Sequence, residues 1–275
     1  MARQLVDAEW LVQRLRNDNV VVADCRFELK DAKAGRRQYE QSHIPGAVYF
    51  DLEEDLSGPA GEHGGRHPLP DIDAFAKKVG DSGIDQSKQV VVYDDQNGSF
   101  AARLWWMLAY LGHDNVSVLD ISYSKWLEAG YSVSSEPPHP EECEFVPHVR
   151  SEMVVDIEKV KQEKDKDEVM LIDSRAPERY LGETEPIDPK AGHIPGAINR
   201  FWKENVGDDG KWKTPDELKE ELKPFDDKDL IVYCGSGVTA NANVLALKAI
   251  GKEARLYVGS WSDWSSYSEN PVETK

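Results

Sequence analysis

A chain of 275 residues accommodates one large domain or two of about 130 to 140 residues each, with real cores and no need of disulfide staples. Forty per cent hydrophobic and 31% charged residues exclude disordered, collagen-like, coiled-coil and mucin-like chains. The formal charge of −18, spread as −8 up to residue 136 and −10 beyond it, repels nucleic acid and anionic membrane surfaces. Any site for a small anion must therefore build its own local positive field.

No apolar run approaches the ~20 residues of a spanning helix, and Met1-Ala2-Arg3-Gln4 leads into no signal-peptide core, so a cytoplasmic protein is expected. Cys25, Cys143 and Cys234 are odd in number, far apart and without metal-ligand spacing. Neither a disulfide framework nor a zinc site follows, which leaves single-thiol chemistry.

In chain order, the first apolar run is Val20-Val21-Val22-Ala23, a strand that ends in Asp24-Cys25-Arg26. Ser42-His43-Ile44-Pro45-Gly46-Ala47 follows, and then Val90-Val91-Val92-Tyr93, a strand buried on both faces that runs into Asp94-Asp95-Gln96-Asn97-Gly98. Phe100, Leu104, Leu108 and Leu111, at spacings of four, four and three, give the next segment one apolar stripe and predict a helix. Trp105-Trp106 on that helix are core residues. From Glu136 to His148 the prolines 137, 138, 140 and 147 forbid regular structure and favour an extended tether.

Beyond the tether the same features return in the same order. Val169-Met170-Leu171-Ile172-Asp173-Ser174-Arg175 matches the first strand, Gly192-His193-Ile194-Pro195-Gly196-Ala197 the histidine motif, and Leu230-Ile231-Val232-Tyr233-Cys234 the second strand, with Val244, Leu247 and Ile250 on the helix after it. The period is domain-sized. Two tandem α/β domains are expected, residues 1–136 and 151–275 joined by a linker at 137–150, each a mostly parallel sheet flanked by helices.

In such sheets ligands bind at the carboxyl ends of the strands. The first copy offers Asp94 there and the second Cys234-Gly235-Ser236-Gly237-Val238-Thr239-Ala240. Only the second holds a nucleophile. Its glycines let the backbone curl so that successive N–H groups face the sulfur, and the following helix adds its dipole, both favouring a thiolate in an accessible crevice. Cys25, with no glycine turn after it, and Cys143, in the tether, read as inert thiols.

The Cys-Gly-Ser-Gly-Val-Thr-Ala loop, the doubled His-Ile-Pro-Gly-Ala, Asp173-Ser174-Arg175 and Gly259-Ser260-Trp261 together resemble the two-domain rhodanese sulfurtransferases, over nearly the whole chain. The resemblance implies tandem rhodanese-like domains, the first catalytically silent with Asp94 at the cysteine position. It implies a double displacement in which Cys234 takes a sulfane sulfur from a small anionic donor, rests as a persulfide, and passes the sulfur to cyanide or a thiol, including that of a thioredoxin-like protein. No cofactor and no metal is implied.

Two donors are open, thiosulfate and 3-mercaptopyruvate. Thiosulfate-preferring members carry basic residues after the cysteine, whereas this loop is similar to that of the 3-mercaptopyruvate sulfurtransferases. Arg179 matches the arginine that holds the donor anion in both branches, with backbone groups at Gly235, Gly237, Val238 and Thr239 around the donor. A second arginine of the mercaptopyruvate branch is missing from Glu185-Pro186-Ile187-Asp188-Pro189-Lys190, and Lys190 is its expected substitute. Leu119-Asp120-Ile121-Ser122 departs from two glycines usual in relatives. Ser236 and His67 match two members of a serine, histidine and aspartate relay, with Asp51 or Glu53 as the third.

Asp173 and Arg175 are expected to support the loop structurally, since Asp24 and Arg26 repeat them in the silent half. His43 and His193 fix loops for the same reason, and Trp261 and Trp264 are expected to line the cleft. A Cys-x5-Arg phosphatase is excluded because the arginine position is Ala240. A non-turnover persulfide carrier is the remaining rival.

Overall fold

The computed structural model describes residues 3–275 and divides into two units. The first comprises the chain up to Gly58, Leu69–Arg150 and Val206–Trp212; the second comprises Pro59–Pro68, Ser151–Asn205 and Lys213–Lys275. Contact and chain order thus part company at two short segments, 59–68 and 206–212, each of which belongs with the unit built mainly from the other half of the sequence.

In the first unit, strands β1 (Leu5–Val6), β2 (Val20–Asp24), β3 (Val48–Tyr49), β4 (Gln89–Tyr93) and β5 (Val116–Leu119) form a parallel sheet of order β1-β5-β4-β2-β3. In the second, β6 (Val154–Val155), β7 (Val169–Asp173), β8 (Ile198–Asn199), β9 (Asp229–Tyr233) and β10 (Arg255–Tyr257) repeat that order as β6-β10-β9-β7-β8, again all parallel. The fold is therefore the duplicated α/β architecture. The long central strands carry the continuous apolar runs because both faces are covered, and Val90 to Tyr93 and Leu230 to Tyr233 are all buried.

Register explains the recurring motifs. Asp24 pairs with Tyr93 and Asp173 with Tyr233. Arg26 forks onto Asp24 at 2.6 Å and onto the Ser42 carbonyl; Arg175 does the same with Asp173 and the Gly192 carbonyl. The two tyrosine hydroxyls accept the N–H of Ile44 and of Ile194. His43 and His193 each stack on a tyrosine and bond its carbonyl through Nδ1, at Tyr39 and Tyr180.

The helix Ala101–Tyr110 follows β4, and almost every side chain on it is buried, Trp105 and Trp106 included. The helix after β9 runs Ala240–Ala249. Residues 137–150 have no regular structure, yet they are no free tether. Cys143 N–H donates to the Gly80 carbonyl, His148 N–H to Leu111 and Arg150 N–H to Tyr110, while Phe145 is buried beside His113. No helix among the described residues is long and apolar enough to cross a membrane.

Candidate active site

Cys234 follows directly on β9 and is 1% exposed. Its loop is fastened from behind by residues 259–262. Cys234 N–H donates to Ser260 Oγ at 3.1 Å, Trp261 N–H donates to the Cys234 carbonyl, and Ser262 N–H to the Gly235 carbonyl. Ser260 makes this possible by adopting φ +55° while fully buried, a left-handed conformation that a serine holds only when its surroundings enforce it. Gly237, at φ +73°, is required for a second reason: a Cβ there would stand 2.1 Å from the Val258 carbonyl oxygen. Asn241 Nδ2 donates to the carbonyls of Gly237 and Val238 and ties the turn to the helix. Val238 is buried in the turn and Thr239 is the half-buried N-cap residue.

One expectation is corrected here: Cys234 is buried and does not face an accessible crevice. The cysteine's own amide is turned to Ser260. The backbone curl needed to bring β10 and the 259–262 turn against the loop consumes that N–H.

The segment 59–68 brings His67 to the loop, its Nδ1 2.8 Å from Ser236 Oγ, with both residues buried. Asp51 spends its carboxylate on the N–H groups of Glu53 and Glu54 and on the Tyr49 hydroxyl.

Beside the loop lies a network of arginines and carboxylates. Arg175 bonds Asp173 and Glu185; Arg179 bonds Glu185 at 2.7 Å and Asp188 at 3.1 Å; Arg66 bonds Asp188. Burial opposes the charge on Arg175, but Asp173 and Glu185 outweigh it and hold the guanidinium above its usual range. Burial would raise Glu185, but Arg179 and the amides of Ile187 and Asp188 bring it below the usual carboxylate range. Asp188 goes the other way: burial, helped by Glu185, wins over its arginines and raises it. A Cβ built on Gly235 would stand 3.3 Å from Arg66 Nη2 and 3.4 Å from Arg179 Nη1, so both guanidiniums press on the loop at the residue after the cysteine.

Lys190 is not among them. Its Nζ is held by the carbonyls of Tyr267 and Ser268, because the chain after Pro189 turns toward the C-terminal segment. Trp261 and Trp264 are core residues with 0% and 1% exposure, their indole N–H groups donated to Lys190 and Pro271 carbonyls, since a helix begins at Ser260 and turns them inward. Arg66 escaped the sequence reading although it is the neighbour of His67. A cation beside a candidate relay histidine, in a chain of strong negative charge, was the available signal.

The loop after β4 differs. Asp94 accepts the N–H groups of Gln96, Gly98, Phe100 and Ala101, so its carboxylate fills the space the loop amides enclose. Cys25 is fully buried, and desolvation together with Asp24 and Asp94 pushes its thiol well up.

Residues 7–129 and 156–267 each match the rhodanese-like domain. The chain is 41% identical over 280 residues to a probable 3-mercaptopyruvate sulfurtransferase of Pseudomonas aeruginosa, covering 98% of both, and 37% identical over 287 residues to a thiosulfate sulfurtransferase of Bos taurus, covering 99% of this chain and 94% of the relative. Among solved structures, the 3-mercaptopyruvate sulfotransferase SseA of Escherichia coli superposes with a TM-score of 0.81 at 32% identity, over 95% of this chain and all of SseA. Matched in both halves and along nearly its whole length, the chain belongs to the rhodanese family as a two-domain sulfurtransferase.

Proposed function

We propose that the chain moves sulfur from 3-mercaptopyruvate, in preference to thiosulfate, through a persulfide on Cys234 to a thiol or cyanide. The observation that carries the reading is the convergence at one loop of a cysteine, a Ser236–His67 pair and Arg179. In the first half-reaction the Cys234 sulfur attacks the donor sulfur. An S–S bond forms, the C–S bond breaks, and its electron pair leaves as the enolate of pyruvate, which takes up a proton. Ser236 and His67 are positioned to carry that proton. In the second, an acceptor thiolate or cyanide attacks the outer sulfur and Cys234 departs as thiolate. Loop amides and the dipole of the helix at Ala240 favour negative charge on the sulfur throughout.

The donor preference follows from charge. Arg66, Arg175 and Arg179 face Asp173, Glu185 and Asp188, so the local charges cancel. A dianion such as thiosulfate gains less from a balanced site than a carboxylate that needs one arginine fork. Burial of Cys234 also tells against a carrier that receives sulfur from a bulky protein surface.

The test is kcat/KM for each donor with cyanide and with a thiol, alongside mass spectrometry of the donor-treated chain. One added sulfur, about 32 Da, is expected on the peptide carrying Cys234, with mercaptopyruvate the better donor. A label on Cys25 or Cys143 alone, or no turnover with either donor, overturns the reading.

A further inference from the structure

Arg66 reaches the cysteine loop through a segment whose placement is strongly determined. Gly64 N–H donates to Asp263 Oδ1 at 2.8 Å, Arg66 N–H donates to Ser262 Oγ at 3.0 Å, and the backbone of Gly65, at φ +87°, passes so close to Gly259 that a Cβ would stand 2.5 Å from its carbonyl oxygen. Asp263 is itself held by the Tyr257 hydroxyl. The anchor is therefore rigid at the backbone, while the side chain of Arg66 is one-third exposed and, among the described residues, its guanidinium bonds only Asp188.

Arg179 is tied differently. Its Nε and Nη2 fork onto Glu185, which holds the guanidinium whether or not Asp188 is present. Asp188 divides its two oxygens between the two arginines, Oδ1 to Arg66 and Oδ2 to Arg179, with a side chain 2% exposed. A carboxylate gripped by two guanidiniums over Gly235 occupies the chemistry that a donor carboxylate requires, next to the sulfur that the donor must meet. When Arg66 leaves, Asp188 keeps Arg179 Nη2 on its other oxygen, so the buried carboxylate is not left without a partner.

We propose that Arg66 is the second donor-binding arginine of this site, and that Asp188 is a built-in counter-anion that the carboxylate of the donor displaces from it. The proposal rests on the reading of Cys234 as the acceptor of sulfur from a mercaptopyruvate-class donor. It assigns Arg66, not Lys190, to the place left empty by the missing arginine of the 185–190 segment. Binding then swings Arg66 from Asp188 to the donor, while Arg179, anchored on Glu185, stays where it is and supplies the fixed half of the grip.

The experiment compares wild type with Arg66→Gln, Arg66→Lys, Asp188→Asn and the double variant Arg66→Gln/Asp188→Asn. It reads the KM for 3-mercaptopyruvate with cyanide as acceptor, protection of Cys234 from iodoacetamide by pyruvate as an unreactive carboxylate, and persulfide mass after saturating donor. Loss of a charge-assisted fork in Arg66→Gln raises KM and weakens pyruvate protection about 10- to 100-fold; Arg66→Lys, which keeps the charge but not the fork, recovers part of the loss. Asp188→Asn lowers KM and strengthens protection, because the competing anion is gone, and this gain vanishes in the double variant. An unchanged KM in Arg66→Gln overturns the assignment of Arg66. A KM raised in Asp188→Asn as in Arg66→Gln overturns displacement and makes Asp188 a scaffold for the arginine. Persulfide loading separates the two levels: if wild type acquires no sulfur the underlying function fails, whereas normal loading with donor affinity indifferent to Arg66 defeats only this proposal.

Discussion

The loops after β4 and β9 occupy the same place in identical sheets, yet one is closed by its own side chain and the other carries a thiol. Asp94 takes four backbone N–H groups, from Gln96, Gly98, Phe100 and Ala101. The loop after β9 is one residue shorter, its helix opening at Ala240 as the first opens at Ala101, so Gly98, Phe100 and Ala101 correspond to Gly237, Thr239 and Ala240. The first unit thus displays what this backbone does with a carboxylate: it wraps it. The segments beside the loops diverge in parallel. Trp212 bonds the Asn97 carbonyl through its indole N–H and packs over Gly98 in the first unit, whereas the second receives Arg66 and His67. The first loop is thus capped by an apolar ring, and the second is faced by a cation and a histidine hydrogen-bonded to its serine.

The strongest way to break the comparison is Cys234→Ser, which should abolish sulfur transfer with both donors and leave the thermal midpoint within a degree or two. Residual turnover would assign the chemistry to another thiol and leave the two loops equally silent. Gly237→Ala comes next. Left-handed backbone strain plus a collision with the Val258 carbonyl should cost about 3 to 4 kcal/mol in urea unfolding and remove activity. Gly98→Ala, where the nearest atom is the Trp212 indole nitrogen at 3.0 Å, should cost less and spare turnover. Equal costs would mean that the second loop is no more tightly backed than the first.

Asp94→Ala leaves four N–H groups without their acceptor and should destabilise the chain by about 2 to 3 kcal/mol with kcat/KM unchanged. A change in activity would show that the first loop is not silent. The smallest expected effect is in pH. Glu185, which has no counterpart in the first unit, has its folded pKa lowered by the arginine network. Its stabilisation is complete above the ordinary glutamate range, about 4.3, and is lost as pH falls through the lowered value. A thermal-midpoint profile should therefore fall less steeply on the acid side in Glu185→Gln than in wild type. Parallel profiles would remove Glu185 from the network's energetics.

Much of the architecture was legible in the sequence because duplication is visible without coordinates. Continuous apolar strands, glycine turns after them and the two His-Ile-Pro-Gly-Ala motifs fix strand and loop identity by local rules of burial and backbone freedom. Cys234 could be named from its position relative to those features, and Ser236, His67 and Arg179 from the resemblance to the rhodanese sulfurtransferases. What remained hidden was every partnership formed across sequence distance. Lys190 looked like the substitute cation because it stands where an arginine was expected, but its side chain follows a chain turn that only packing determines. Trp261 and Trp264 looked like cleft residues because strand ends usually face the site; a helix starting at Ser260 buried them.

The sequence alone determined two α/β domains of one kind, one with a thiol at the functional strand end and one without, because strand burial, turn glycines and motif repetition are short-range signals. Only the tertiary structure decided that the sulfur is enclosed, that its amide belongs to Ser260, and that Arg66 lies beside Gly235 opposite Arg179. The last of these depends on which unit the segment 59–68 joins. That choice is made by contacts such as Gly65 against Gly259, between residues almost 200 positions apart, and such contacts leave no periodic mark on the chain.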